Sequence, residues 1–255
     1  MISRLIQKYL IFIIHSNIFN NMILKNRICI LFLHYSVNDV TIQNYELLKK
    51  YNPTKNIYPI GFENCNLISG SHIVSKKDLY PKNNILNENK KIEYWSEADL
   101  LIYDFYLNYP NLPTYLIVEW DTYSNCSLET FYSDALNMTH FSHMTYPQEK
   151  LNDWYWYTQL SENQKLTSNI GGMGPTSGLF FTKSVLSSMV NRMHDNPRLY
   201  DNMFSELRLG TLLQQSGYIL QKPFNKSDDY INWKYENIIF DKNVNGYYHP
   251  VKTII

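Results

Sequence analysis

The sequence predicts a single-domain α/β protein in which a mixed sheet is flanked by helices. Two continuous apolar runs, at residues 27–34 (RICILFLH) and 115–118 (YLIV), have the composition of strands buried on both faces of a sheet. Segments with apolar residues at helical spacing alternate with such runs. The 255 residues suit one large domain without a convincing Gly/Ser/Pro-rich linker, and 44% apolar residues can bury a sizeable core.

Residues 1–26 are predicted to be an N-terminal extension of a domain that spans residues 27–255. Within the extension, the apolar stretch 9–14 (YLIFII) follows Arg4 and Lys8, as at the start of a signal peptide. It is shorter than the roughly 20 apolar residues that span a bilayer, and no small-residue cleavage site follows it. We expect a helix or strand packed on the domain, with a targeting segment as the alternative. No stable membrane span is expected, and the cytoplasm is the favoured location.

The first half of the domain is predicted to open with a strand, a helix and a second strand. Residues 27–34 form the first central strand, and residues 41–51 form a helix that Asn52-Pro53 ends. Residues 56–62 (NIYPIGF) form the second strand. This order of elements predicts a nucleotide-binding half.

The middle of the chain is predicted to carry a strand that ends in acidic residues. Residues 76–90 are polar and form a surface loop, and residues 96–109 form a helix with Ser96 as its cap. Residues 115–118 form a buried strand and deliver Glu119-Trp120-Asp121 to its carboxyl end, which is where ligands of open α/β sheets bind.

The last third is predicted less regularly. Residues 128–135 have no clear assignment, and the aromatic residues 154–157 cover the core or a binding cleft. Residues 171–178 (GGMGPTSG) form a flexible loop before a strand at 179–182 and a helix from Ser184. A further helix at 200–215 is closed by Gly217 and followed by a short strand at 218–220. The tail, residues 241–252, contains His249.

Composition excludes some classes of function. Lys and Arg total 23, and so do Asp and Glu, so no net field attracts nucleic acid. Three cysteines without CxxC spacing support neither a disulfide framework nor a zinc cluster. Abundant Asn, Ile, Lys and Tyr beside five Arg indicate an AT-rich genome.

Glu119 and Asp121 are the strongest candidates for chemistry. Side chains two apart on an extended segment point to the same side, about 7 Å apart. They can therefore face one hard cation, Mn²⁺ or Mg²⁺, which takes one or two protein carboxylates and completes its shell with phosphate oxygens and water. Ordinary exposed carboxylates at a strand end are the alternative.

The run YLIVEWDTY resembles the DxD motif of GT-A glycosyltransferases, with Glu in the first position. The resemblance covers residues 27–252 as a pattern of elements and implies a GT-A-like, Rossmann-type mixed sheet. It also implies that the ion binds the diphosphate of a nucleoside-diphosphate sugar, with a UDP-sugar favoured. Asp121 would then be the direct ligand, Glu119 would bind through water or ribose, and His249 in GYYHP would be a third ligand.

Other residues receive roles only through this resemblance. Thr176, Ser177 and Gly178 would lie beside the donor sugar, since glycines allow close backbone approach. Glu206 would be the general base of an inverting transfer, with Asp201 in reserve. The candidates for the nucleotide side are His34, Tyr35, Asn38, Asp39 and Asp99.

The sequence therefore predicts transfer of a sugar from a nucleoside-diphosphate sugar to a glycan or another hydroxyl acceptor, with inversion slightly favoured. The alternatives are a retaining transferase of the same fold and a catalytically silent sugar-binding protein, whose ring stacking the many Tyr and Trp would suit. A nucleotidyltransferase would need a basic phosphate clamp that the sparse Arg residues do not supply. The donor, the acceptor and the oligomeric state stay open.

Overall fold

The computed structural model describes residues 28–78, 90–166, 169–220 and 246–251. The predicted N-terminal extension lies outside these residues. Within them the strands are β1 Ile28–Leu33, β2 Asn56–Phe62, β3 His72–Val74, β4 Thr114–Glu119, β5 Tyr123–Ser124, β6 His140–Phe141, β7 Met144–Tyr146, β8 Gly172–Gly174, β9 Phe180–Thr182 and β10 Tyr247–Tyr248. The α-helices are α1 Asp39–Tyr51, α2 Lys90–Asn108, α3 Leu128–Phe131, α4 Tyr155–Thr158, α5 Glu162–Lys165, α6 Lys183–Asp195 and α7 Ser205–Gln215. Three 3₁₀ turns occur at Lys76–Asp78, Gln148–Lys150 and Pro197–Tyr200.

The central sheet has six strands in the order β3-β2-β1-β4-β9-β6. The first four are parallel to one another, whereas β9 runs antiparallel to β4 and to β6. All residues of β1 and β4 are buried, as their continuous apolar sequences predict. The predicted mixed α/β fold is therefore confirmed, and the carboxyl ends of β1 and β4 meet at one edge of the sheet.

Helices α1 and α2 cover opposite faces of this sheet. Tyr45 of α1 packs against Phe32 of β1, with ring centroids 5.1 Å apart. Phe105 of α2 packs against Tyr58 at 5.1 Å. Tyr58 is paired with Leu31, the neighbour of Phe32, and successive residues of a strand point to opposite faces. The sheet is thus buried on both sides, as the sequence predicts.

Helix α7 packs directly on strand β8 through glycines. A Cβ atom on Gly210 would lie 2.6 Å from the Cα atom of Gly172, so only glycine permits this approach. The hydroxyl of Thr211 donates a hydrogen bond to the carbonyl of Gly171 at 3.2 Å. This contact holds the middle of α7 against β8.

A buried ion pair joins α7 to α2. The guanidinium of Arg208 donates to the carboxylate of Asp99, with Nε 2.7 Å from Oδ2, and both side chains are fully buried. Arg208 also donates to the backbone carbonyls of Met203 and Ser96. These bonds satisfy a charge that would otherwise be costly to bury.

Several predicted elements are wrong in their bounds or type. Helix α2 begins at Lys90, so Ser96 lies inside the helix and does not cap it. The helix predicted at 200–215 begins only at Ser205. Residues 171–178 are buried and include strand β8, so they are not a flexible exposed loop. Residues 218–220 form no strand.

The predicted loop at 76–90 is described only at its start, where it forms a 3₁₀ turn, and at its end, where α2 begins. None of the helices in the described parts of the chain combines the length and apolar character needed to cross a bilayer.

Candidate functional site

The acidic residues lie where the sequence predicts, at the carboxyl edge of the parallel strands. Glu119 is the last residue of β4 and is paired with Leu33 at the end of β1. The amide of Trp120 continues this pairing by donating to the Leu33 carbonyl at 2.9 Å. A turn follows, in which the amide of Thr122 donates to the Glu119 carbonyl at 3.0 Å. Because the turn is tight, Asp121 stays beside the end of the strand.

The C-terminal segment brings His249 to the same place. Strand β10 pairs antiparallel with β5, with Tyr248 opposite Tyr123. Beyond β10, the amide of Val251 donates to the carbonyl of Asp121 at 2.7 Å. Segments about 130 residues apart in sequence therefore meet through backbone hydrogen bonds on either side of His249.

The three side chains converge on one point. The Nε2 atom of His249 lies 3.1 Å from Oε2 of Glu119 and 3.1 Å from Oδ1 of Asp121. One ligand atom from each residue lies within 4.8 Å of the other two, and all three residues are buried. A convergence of two carboxylates and an imidazole in a buried place costs free energy unless the charges are compensated.

Burial and charge coupling within this triad (Glu119, Asp121 and His249) act on the pKa values of His249 and Glu119. Burial disfavours the charged imidazole, but the charge of Asp121 and hydrogen bonds with both carboxylates outweigh it and raise the pKa of His249 to about 10. Burial raises the pKa of Glu119, and the charge of Asp121 raises it further, against the opposing effect of His249. Without another cation, the imidazolium is therefore the group that balances the two carboxylates.

The donor set fits a divalent cation. Two carboxylate oxygens and one imidazole nitrogen are ligands that Mn²⁺ accepts, and the nitrogen favours Mn²⁺ over Mg²⁺. The Oε1 atom of Glu119 is buried and has no hydrogen-bond partner among the described residues, so it retains capacity for a ligand. A cation would replace the proton of His249, since a coordinating imidazole must be neutral.

The predicted donor-side loop contacts the triad. The amide of Ser177 donates to Oε2 of Glu119 at 3.3 Å, and the amide of Glu119 donates to Oγ of Ser177 at 3.3 Å. Gly178 has φ +83°, and a Cβ atom there would overlap the ring of His143. Thr176 is buried beside them. Loop 176–178 is therefore packed tightly against the end of β4.

Glu206 lies in the first turn of α7, within electrostatic reach of Glu119 and His249. A Cβ atom on Gly174 would lie 2.6 Å from both Cδ and Oε1 of Glu206, so the carboxyl rests against that glycine. Burial raises the pKa of Glu206 to about 8, with a further rise from the charge of Glu119 and an opposing effect of His249. Asp201 follows the 3₁₀ turn before α7, where its backbone carbonyl accepts a hydrogen bond from Gln164.

The nucleotide-side candidates are placed differently from one another. Tyr35 lies near the triad: burial and the charge of Asp121 raise its pKa. His34 is buried, with Nε2 3.0 Å from Oγ of Ser71. Asn38 caps helix α1, since its Oδ1 accepts from the amide of Thr41 at 2.9 Å, and Asp39 is exposed in the first turn. The carboxylate of Asp99 forms the buried ion pair with Arg208, which is a structural role.

A buried polar cluster behind Glu119 was not foreseen from the sequence. The hydroxyl of Ser177 lies 2.6 Å from that of Thr122 and also contacts the hydroxyl of Tyr247. His143 stacks on Tyr247 at 5.8 Å and lies 2.8 Å from the hydroxyl of Tyr132. These five residues come from five separate segments and form no local motif, so no signal in the sequence could have grouped them.

No family model and no curated protein matches the sequence. Similar proteins are found among solved structures. A glycosyltransferase involved in the glycosylation of the major capsid of PBCV-1 is similar with 16% identity and a TM-score of 0.34, over 67% of this chain and 68% of that one. An active-site mutant of LgtC is similar with 10% identity and a TM-score of 0.40, over 72% of this chain and 70% of that one.

The galactosyltransferase LgtC in complex with donor and acceptor sugar analogues is also similar, with 10% identity and a TM-score of 0.40, over 74% of this chain and 70% of that one. These three solved structures are thus of glycosyltransferases. At these identities and TM-scores the similarity does not itself assign an activity to the chain.

Proposed function

We propose that this protein is a metal-dependent glycosyltransferase that moves a sugar from a nucleoside-diphosphate sugar, with a UDP-sugar favoured, to a hydroxyl of an acceptor. The observation that carries the proposal is the convergence of Glu119, Asp121 and His249 at the carboxyl edge of the parallel strands. The acid-x-acid sequence EWD, which resembles a DxD motif, supports the same function.

In this proposal Asp121 and His249 hold a divalent cation directly, and Glu119 holds it directly or through water. Mn²⁺ is favoured, and Mg²⁺ is the alternative. The bound ion supplies the positive charge that a diphosphate leaving group requires. The amide of Ser177 orients Glu119 through its hydrogen bond to Oε2, and loop 176–178 lies where a donor sugar would be close to backbone groups.

Glu206 is proposed to be the general base, which would make the transfer inverting. In support, its carboxyl lies within electrostatic reach of Glu119 and His249. A base is most effective when its pKa lies near the working pH, and burial has moved the pKa of Glu206 into that range. The role of the base is to take the proton of the acceptor hydroxyl as the sugar transfers.

The first test is release of nucleoside diphosphate from a panel of UDP-, GDP- and TDP-sugars, measured with Mn²⁺ and with EDTA. We expect one donor to be consumed only with metal. Asp121→Asn should lower the rate by about 100-fold, the typical loss when a charge-stabilising group is removed. Glu46→Gln is a matched control, because Glu46 is exposed on α1 and pairs only with Lys49 in the described structure.

Absence of turnover with every donor, or an Asp121→Asn protein as active as the parent, contradicts the proposal. The first result would instead favour a catalytically silent sugar-binding protein.

Glu206→Gln separates the two stereochemical mechanisms. Loss of a general base costs about 10²- to 10⁴-fold, so a loss of this size, with inversion of the anomeric centre seen by NMR, supports the base. Nearly full turnover with retained configuration would remove Glu206 from this role and favour a retaining transferase.

A further inference from the structure

Two side chains from other segments pack against strand β8, the carboxyl of Glu206 and the aromatic ring of Trp154. Gly172 and Gly174 are two residues apart on an extended strand, so their missing side chains would point to the same face, about 7 Å apart. At Gly174 that position holds the carboxyl of Glu206, and at Gly172 a Cβ atom would overlap the ring of Trp154. The two glycines therefore make room for an acid and an indole side by side.

A second ring extends this surface. Tyr146 of β7 is paired with Gly172 and stacks on Trp154, with ring centroids 4.5 Å apart and planes 19° apart. Burial, together with the charge of Glu206, raises the pKa of Tyr146 to about 12, so its hydroxyl lies within electrostatic reach of that carboxyl. Both rings are partly exposed. Together they form an apolar wall, the Tyr146–Trp154 pair, beside the carboxyl of Glu206.

We propose that the Tyr146–Trp154 pair is an acceptor subsite that binds the apolar face of a neutral sugar ring, so that a hydroxyl at the edge of that ring meets Glu206. The inference rests on the proposed function and deepens it by naming the acceptor class as a carbohydrate. Neither ring is assigned to binding by the acid-x-acid sequence or by the triad.

The chemistry of a pyranose matches this surface. One face of such a ring presents C–H groups, whose burial against an aromatic side chain is favourable, whereas its edge presents hydroxyls that need polar partners. The wall and the carboxyl supply these two environments next to each other. A carboxylate or phosphate on the acceptor would be repelled by Glu206 when this residue is ionised to act as the base, so a neutral sugar fits best.

The test compares acceptors that share hydroxyls but differ in having a ring. The active donor and Mn²⁺ are kept constant, and methyl glucoside, methyl galactoside and methyl mannoside are compared with glycerol. We expect kcat/KM for the best pyranoside to exceed that for glycerol, and Trp154→Leu to raise KM for the pyranoside about 10-fold while kcat/KM for glycerol changes less than 2-fold. Trp154→Phe, which keeps an aromatic face, should restore most of the preference.

Two further variants provide a second test and a control. Tyr146→Leu tests the second ring and replaces Trp154→Leu if that protein does not fold, as judged by thermal denaturation. Tyr155→Ala is the control, because Tyr155 is 62% exposed and contacts Trp156 rather than the wall; its preference should equal that of the parent.

The outcomes separate this inference from the proposed function. A parent protein that consumes no donor contradicts the proposed function and the subsite with it. A parent that is active but prefers glycerol, or whose pyranoside preference survives both Trp154→Leu and Tyr146→Leu, overturns the subsite alone.

Discussion

The carboxyl of Glu206 owes its position to the absence of a side chain at Gly174. Gly174→Ala would place a methyl group 2.6 Å from Cδ and Oε1 of Glu206, which is closer than real Cβ contacts allow. The carboxyl is the movable end of a flexible side chain, so we expect it to shift at a cost in stability of about 1 kcal/mol or less. Catalysis should suffer more, with kcat lowered at least 10-fold, since misplacement of a reacting group by about 1 Å is costly. Steady-state kinetics and urea denaturation measure the two effects.

Gly217→Ala is the matched control for this substitution. Gly217 has φ +86° and no atom within 4 Å of an added Cβ, so alanine there strains the backbone by about 1 kcal/mol without touching Glu206. If Gly174→Ala keeps the kcat of the parent, Glu206 does not act in the reaction from the position described here.

For individual residues, the sequence predicts part of the candidate site. Glu119 and Asp121 follow an apolar run, so their place at a strand end can be deduced from order along the chain. His249 was proposed only through a resemblance, and its approach to Asp121 depends on the pairing of β10 with β5. Trp154 is predicted only to cover the core or a binding cleft, and no role is predicted for His143, because their surroundings are created by other segments that no local pattern encodes.

Helix α7 and strand β8 touch backbone to backbone, and this contact positions Glu206. Gly210→Ala would place a methyl group 2.6 Å from the Cα of Gly172. Backbone atoms cannot swing aside as a carboxyl can, so the helix and the strand must separate. We expect a loss of about 1–3 kcal/mol in the free energy of unfolding, typical of overpacking, as measured by urea denaturation.

The control for α7 is Gln215→Ala at the end of the helix, which removes the hydrogen bond from the Tyr200 hydroxyl but adds no atoms. Its cost should be about 1 kcal/mol. A Gly210→Ala protein as stable as the parent would mean that α7 and β8 are farther apart than described.

The elements show where sequence patterns succeed and fail. Strand β2 and helix α1 were predicted because apolar spacing and the Asn52-Pro53 stop are local signals. The start of α2 was missed because its first residues, KKIE, lack apolar periodicity. Because glycine favours turns, the sequence predicts a loop at residues 171–178, yet pairing with β7 and packing on Gly210 make residues 172–174 a strand, β8.

At the scale of the whole molecule, four parallel strands of the described residues present their carboxyl ends at one edge. The antiparallel strand β9 and then β6, which runs antiparallel to β9, extend the sheet beyond β4. Chain order predicts three of these strands, β1, β2 and β4, since strand–helix–strand units have few alternatives, whereas no strand was predicted at the position of β3. His249 contacts Asp121 although the two residues are about half the sequence apart. Local propensity contains no information about such a contact.

The buried ring of His34 links the stability of the whole molecule to pH. Burial lowers the pKa of His34 to about 4, against about 6.5 in an unfolded chain. Between pH 6.5 and 4 the imidazole of His34 is therefore protonated in the unfolded state but mostly neutral in the folded state. The contribution of His34 to the free energy of unfolding is complete above pH 6.5 and is lost as the pH falls towards 4. For His34 alone the loss between pH 7.5 and 4.5 is about 2–3 kcal/mol.

Other buried groups also contribute. Burial lowers the pKa of His143 too, so His143 acts in the same direction as His34, whereas Glu206, with its raised pKa, stabilises the folded state more as the pH falls. Comparing the parent with His34→Gln isolates His34, because the remaining groups titrate in both proteins and glutamine can still bond to Ser71. We expect the stability difference between the two proteins to move by about 2–3 kcal/mol in favour of the variant between pH 7.5 and 4.5, in urea denaturation. Parallel pH profiles would mean that His34 gains its proton as easily in the folded protein as in water, which is incompatible with its burial at the end of β1.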